Sequence, residues 1–344
     1  DGLDDVIIFG RNVNTVALNE GMDPASFSVM TATATGLSDN GDDHGPHNRY
    51  AASADLNDDG YLDFYLTLDT GRLFISNGDG TYTRDDRGIA HDARTGINAT
   101  DTYRGGAFGD YDNDGDMDLF VAQRASGQSF LFRNDGATFT DVAADARLLD
   151  TDRHKGACWG DYDSDGDLDL YVVVDNNPTA PSLLYRNNGD GTFQLLDDGM
   201  QAVGESEDCV FADYDNDGDL DLFVSSEDTS VTLFRNDIDR PTYLKVRPLG
   251  NGMPGGSSLI GRGVRVELFE ADGATFLARR ETGTQHGASV EPLWAHFGGV
   301  VPSETYVVKT YFRSGTVTST IVPSAVSTTI GATTIDQMLT VTEP

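Results

Sequence analysis

Asp55, Asn57, Asp59 and Asp63 stand at positions 1, 3, 5 and 9 of a nine-residue segment, Asp55-Leu-Asn-Asp-Asp-Gly-Tyr-Leu-Asp63. The arrangement returns as Asp110, Asp112, Asp114 and Asp118, as Asp161, Asp163, Asp165 and Asp169, and as Asp213, Asp215, Asp217 and Asp221. Position 6 is always glycine (Gly60, Gly115, Gly166, Gly218), and position 7 is Tyr61, Asp116, Asp167 or Asp219. Oxygen ligands at 1, 3 and 5, a glycine for the sharp turn, a backbone carbonyl at 7 and a carboxylate at 9 are what wraps a loop around Ca²⁺. Three of the loops bring four ligand carboxylates within nine residues, which repel one another unless a cation sits between them. A single copy reads equally well as a solvated acidic turn. Four in register predict about four bound Ca²⁺.

The remaining residues offer little other chemistry. The histidines are His44, His47, His91, His154, His286 and His296, and only His44-Gly-Pro-His47 forms a close pair. Gly-Pro between the two favours a solvated loop over a transition-metal site. The chain has no serine nucleophile elbow, His-Glu-x-x-His or phosphate loop. Paired carboxylates are everywhere, so a glycosidase acid/base pair cannot be singled out against the calcium loops. Tyr50, Tyr103 and Trp159 lie at or near the starts of repeat units. They suit packing between units better than a sugar-stacking platform.

A formal charge of −34 over 344 residues disfavours nucleic acid and anionic membranes as partners. Four Ca²⁺ would move that charge only to about −26, since fifteen of the acidic residues are the ligands named above. The two cysteines, Cys158 and Cys209, precede their loops by three and four residues. Alternation along a strand then points them to opposite faces and favours two separate buried thiols, with a disulfide as the alternative. No apolar run reaches transmembrane length and no signal peptide is present. The start at Asp1 is read as upstream processing or truncation.

The elements that position these loops follow from their spacing. The first aspartates fall at 55, 110, 161 and 213, a period near fifty in a β-patterned chain, which predicts propeller blades. In the second unit a small-residue strand enters the loop and Asp118-Leu-Phe-Val-Ala-Gln123 leaves it. Two further strands flank the turn Asn134-Asp-Gly136, giving four strands per unit. An EF-hand needs a carboxylate at position 12 and a following helix. Position 12 here is Leu66, Val121, Val172 or Val224 inside a β-rich run, so EF-hands are excluded. Asp1 to Ile8 align with Asp59 to Leu66 and predict a partial blade lacking its first strand. Beyond Arg240-Pro241 the acidic loops vanish. Residues 241–344 carry alternating strands such as Gly263–Phe269 and Tyr306–Tyr311, which predict a small β-sandwich with Trp294 in its core.

The repeats resemble the FG-GAP/VCBS family, the calcium-loop blades of integrin α-type propellers and of many bacterial surface proteins. The resemblance rests on the four Asp loops, the apolar strands after them, and the Asn-Asp-Gly hairpins leading to Phe139 and Phe193. Residues 241–344 are similar to the ASPIC/UnbV domain through Leu244–Arg247, Ile260–Val266, His296-Phe-Gly298 and the Ser314-Gly315 turn. Where that family has Trp-Pro and Phe-Gly-Leu-Gly, this chain has Phe312-Arg313 and Phe297-Gly-Gly-Val300. The resemblance implies a secreted, calcium-stabilised, non-enzymatic propeller with a sandwich appendage, used for adhesion, matrix or filament assembly. The expected fold is all-β, with a propeller of four calcium-loop blades plus a partial N-terminal one over 1–240, and the sandwich over 241–344. Expected partners are a protein or glycan at the cell surface or matrix, or a second copy paired through the incomplete blade. The rival reading is a carbohydrate-binding or carbohydrate-processing propeller.

Overall fold

The computed structural model describes residues 6–9, 14–19, 27–37, 50–67, 71–85, 103–123, 128–174, 180–197, 200, 202, 205–227, 231–238, 243–252, 260–286, 289–290, 292–321 and 338–343. The N-terminal sheet holds β1 (Val6–Phe9), β2 (Asn14–Asn19) and β3 (Phe27–Thr31), followed by a one-turn helix, α1 (Ala32–Thr35). Its three-stranded order is that of a blade without an inner strand, as the sequence predicts, while Asp1 and Asp5 lie outside the described residues.

Four antiparallel sheets then repeat one plan. The first is β4 (Ala51–Ala54), β5 (Asp63–Leu66), β6 (Arg72–Ser76) and β7 (Tyr82–Asp85). The second is β8 (Tyr103–Gly109), β9 (Asp118–Gln123), β10 (Phe130–Asn134) and β11 (Phe139–Asp141). The third is β12 (His154–Gly160), β13 (Asp169–Val174), β14 (Leu183–Asn187) and β15 (Phe193–Leu196). The fourth is β16 (Ser206–Ala212), β17 (Asp221–Ser226) and β18 (Thr232–Phe234), three strands among the described residues. The inner strands stand side by side, β4 against β8, β8 against β12 and β12 against β16. Every residue of β9, β12 and β13 is buried, because both faces of the first two strands of a middle blade meet a neighbour and none is left for solvent. Between blades the packing is aromatic. Trp159, Tyr111 and Phe193 form one layer, and Trp159 Nε1 donates to Ala107 O across the blade boundary at 3.1 Å. Trp159 is thus core, as expected. Gly160 admits Phe211 of the next blade, whose ring lies 2.5 Å from where a Cβ would stand.

The sandwich pairs two sheets around one core of Val246, Val266, Leu268, Phe297 and Val308. One sheet is β19 (Leu244–Leu249) between β24 (Ala295–Phe297) and β27 (Met338–Thr342), with β27 parallel to β19. The other runs β21 (Phe276–Thr282), β20 (Val264–Glu270), β25 (Tyr306–Phe312), β26 (Gly315–Ile321). A hairpin, β22 (Gln285–His286) with β23 (Ser289–Val290), leaves this layer and packs among the inner strands β4, β8, β12 and β16.

Two expectations are corrected here. Cys158 and Cys209 form a disulfide, with Cα atoms 5.8 Å apart. Opposite-face parity separates two residues within one sheet, but blades stack face to face. A side chain on the leading face of blade three therefore meets one on the trailing face of blade four, and both cysteines share the layer between those blades. Trp294 does not fill the sandwich core. It packs against the Phe211 and Leu220 layer of the propeller, edge-on to His296.

Candidate metal centre

Each Asp loop joins an inner strand to the second strand of its blade. The ninth-position aspartates Asp63, Asp118, Asp169 and Asp221 open the second strand, opposite Ala54, Gly109, Gly160 and Ala212 in the ladder. They are at most 1 % exposed. Each is clasped at both oxygens, as in Asp169, which accepts from Tyr162 N (3.1 Å) and Asn187 N (2.8 Å). First-position aspartates accept the position-5 amide, at 3.1, 3.0, 3.0 and 3.1 Å for Asp55, Asp110, Asp161 and Asp213. The turn itself is left-handed at Asp58, Asn113, Ser164 and Asn216 (φ 54–62°) and again at the position-6 glycines (φ 82–104°). Only glycine adopts the second of these at no steric cost.

The fold brings together positions 1, 3 and 9. Carboxylate oxygens of Asp110, Asp112 and Asp118, of Asp161, Asp163 and Asp169, and of Asp213, Asp215 and Asp221 lie within 4.8 Å of one another in each set. In the first loop the third position is Asn57, whose amide donates to Asp59 Oδ2. Position-5 residues Asp59, Asp114, Asp165 and Asp217 stand outside these sets, each accepting the position-7 amide of Tyr61, Asp116, Asp167 or Asp219. Burial pushes Asp63, Asp110 and Asp161 up to about 7 and Asp55 and Asp112 up to about 6, and holds Asp118 and Asp169 well above the carboxylate range. Asp110 Oδ2 and Asp112 Oδ1 are buried without a hydrogen-bond partner. An all-oxygen anionic cage with two orphaned acceptors fits a hard divalent cation. Each of the three clusters could hold a metal ion.

Sequence reasoning missed three asparagines. Asn134, Asn187 and Asn236 donate backbone amides to the ninth-position carboxylates Asp118, Asp169 and Asp221. Asn187 Nδ2 also reaches Tyr111 O in the previous loop (2.8 Å), and Asn236 Nδ2 reaches Tyr162 O (2.7 Å). The signal was present as a recurring Arg-Asn at 133–134, 186–187 and 235–236. Also missed was the basic side of the sandwich facing the loops. Lys245, 1 % exposed, pairs with Asp213 and lies 5.0 Å from the Trp294 ring. Arg279 contacts Asp58, Asp55 O and Glu281, and Gly298 N donates to Asp161 Oδ2. His44, His47, His91 and the Tyr103 side chain fall outside the described residues.

Residues 55–121, 110–172 and 171–224 match the FG-GAP-like repeat family in three overlapping copies, each bounded by Asp loops and second strands. Residues 55–224 form an FG-GAP-repeat propeller segment. The chain is also similar to cartilage acidic protein 1 of Xenopus tropicalis, Mus musculus and Homo sapiens, each 27 % identical over 212 residues. The alignment covers 58 % of this chain and 31 % of each relative, so the chain spans about a third of their length. Among solved structures, an Agrocybe aegerita lectin described as recognising non-reducing terminal N-acetylglucosamine aligns at TM-score 0.42 and 16 % identity, over 90 % of this chain and 85 % of that one. That likeness is too slight to bear on function. Among the described residues no helix is long and apolar enough to cross a membrane.

Proposed function

We propose that this FG-GAP propeller is an extracellular, non-enzymatic calcium-binding protein whose four loops each hold one Ca²⁺ and so rigidify the blades for surface, matrix or filament assembly. The carrying observation is the second loop, where Asp110 Oδ2 and Asp112 Oδ1 are buried with nothing to accept. Burying such oxygens is costly, and a divalent cation offsets the cost. Side chains at 1, 3, 5 and 9 with the carbonyls of Tyr61, Asp116, Asp167 and Asp219 would be the ligands. Residues 1–240 would act as the propeller and 241–344 as an ASPIC/UnbV-like unit resting on its loop face. Protein or glycan partners would meet the outer edges, since the sandwich engages all four loops and its hairpin packs among the inner strands.

The carbohydrate reading requires a calcium-free carboxylate pair with an aromatic wall. Glu207, Glu227 and Tyr50 form one such group, but Lys155 bridges both carboxylates and Tyr50 Oη donates to Glu207 Oε2. The cluster reads as a clasp between blades. Calcium titration by calorimetry, with melting in millimolar calcium and in excess chelator, tests the proposal. About four binding events and a Tm rise on the order of 10 °C or more are expected; neither appearing would sink it.

A further inference from the structure

All four position-6 glycines present their carbonyl oxygen to a basic side chain of the sandwich. Arg313 Nε donates to Gly60 O (3.0 Å), Arg279 Nη1 to Gly115 O (2.9 Å), Arg280 Nη2 to Gly166 O (3.3 Å) and His296 Nε2 to Gly218 O (3.0 Å). The donors come from β21, β24 and the turn between β25 and β26, yet they converge on one equivalent atom in each loop. Arg279 also pairs with the carboxylates of Asp58 and Glu281, but charge attraction alone does not account for four donors meeting four matching carbonyls.

That carbonyl shares a peptide plane with the position-7 amide, and the amide is held by the position-5 carboxylate, for example Tyr61 N to Asp59 Oδ1 at 2.8 Å. The plane is therefore gripped from both sides, by the sandwich at its oxygen and by the loop at its nitrogen. The position-7 carbonyl lies one peptide plane further on, so holding this plane restricts where that carbonyl points through only φ and ψ of residue 7. We propose that Arg279, Arg280, His296 and Arg313 are positioning residues for the four cation sites, so that cation loading and docking of the sandwich reinforce each other. The proposal rests on the calcium reading above. Coupling of this kind is reciprocal: a loop that springs open when its cation leaves withdraws an anchor from the sandwich, and loss of an anchor weakens the cation.

Arg313 gives a clear test, because it is exposed and meets the first loop at Gly60 O and over the Tyr61 ring at 4.4 Å. The full-length chain and Arg313→Ala are titrated with Ca²⁺, and hydrogen exchange of Phe276–Thr282 is followed with calcium and with chelator. Positioning predicts that one site weakens about fivefold or more, in line with typical coupling, while the others keep their affinity. It also predicts that Arg313→Lys retains affinity and that chelator speeds exchange in Phe276–Thr282. Removing a cation beside an acidic loop would tighten calcium binding if charge alone acted. Unchanged or tighter binding in Arg313→Ala, or equal exchange with and without calcium, overturns this proposal alone. Absence of calcium binding by the unaltered chain overturns the calcium reading as well.

Discussion

Asn187 reaches across a blade boundary to donate its side-chain amide to the Tyr111 carbonyl, 2.8 Å away and 76 residues earlier in the chain. The same amide donates to Leu168 O at 3.0 Å, and Asn187 Oδ1 accepts from Gly189 N. One buried side chain thus ties the hairpin of blade three to its own loop and to the loop of blade two. Asn187→Ala leaves two buried carbonyls without donors, at about 1–3 kcal/mol each, and is expected to lower Tm in a thermal melt. Its exposed neighbour Asn188 bonds through its side chain to Thr192, and Asn188→Ala should fall within about 0.5 kcal/mol of the parent.

The Cys158–Cys209 bridge closes a loop of 51 residues between the inner strands of adjacent blades. Loop-closure entropy places its contribution at about 4 kcal/mol. Replacing both cysteines by alanine should lower the denaturant midpoint while leaving calcium stoichiometry unchanged. An unshifted midpoint would show that the bridge adds nothing to stability.

Gly218 sits at φ +104°, and a Cβ there would stand 1.9 Å from Tyr243 Cε1. Gly218→Ala must therefore displace the first residue of the sandwich as well as strain the fourth loop, at about 1–2 kcal/mol for the backbone alone. Gly191→Ala, at φ +80° in open space, carries the strain without the collision. The difference between their melting temperatures measures how firmly the sandwich rests on the loop.

Calcium binding should depend on pH with a definite sign. In the metal-free fold Asp63, Asp110 and Asp161 are raised by burial from 3.8 to about 7. Between those values the native state holds more protons than the unfolded chain, so these groups stabilise the metal-free fold at low pH and lose that contribution as pH rises to 7. Calcium competes with the same protons, so its affinity should rise from pH 5.5 to 7.5 with proton release. Titrations in buffers of different ionisation enthalpy would show it, and identical affinities at both pH values would contradict it. Burial lowers His286 and His296 from 6.5 to about 4, which works in the opposite direction: their contribution is lost as pH falls through that window.

The four Asp loops were legible in the sequence, because each turn is built within nine residues by local backbone chemistry, whereas the grouping of positions 1, 3 and 9 without position 5 in three of them came from the fold. Blade count followed from the period, and the strands from their apolar runs. Asn187, Cys158 and Trp294 were not legible, since each acts on a partner brought close only when one sheet stacks on another. Parity within a single strand cannot say which residues face each other across that boundary. The meeting of Arg279 with Gly115, 164 residues apart, was likewise decided by the tertiary structure alone. It seats one basic side of the sandwich on the acidic loops of four blades, where carboxylates and loop carbonyls both receive it.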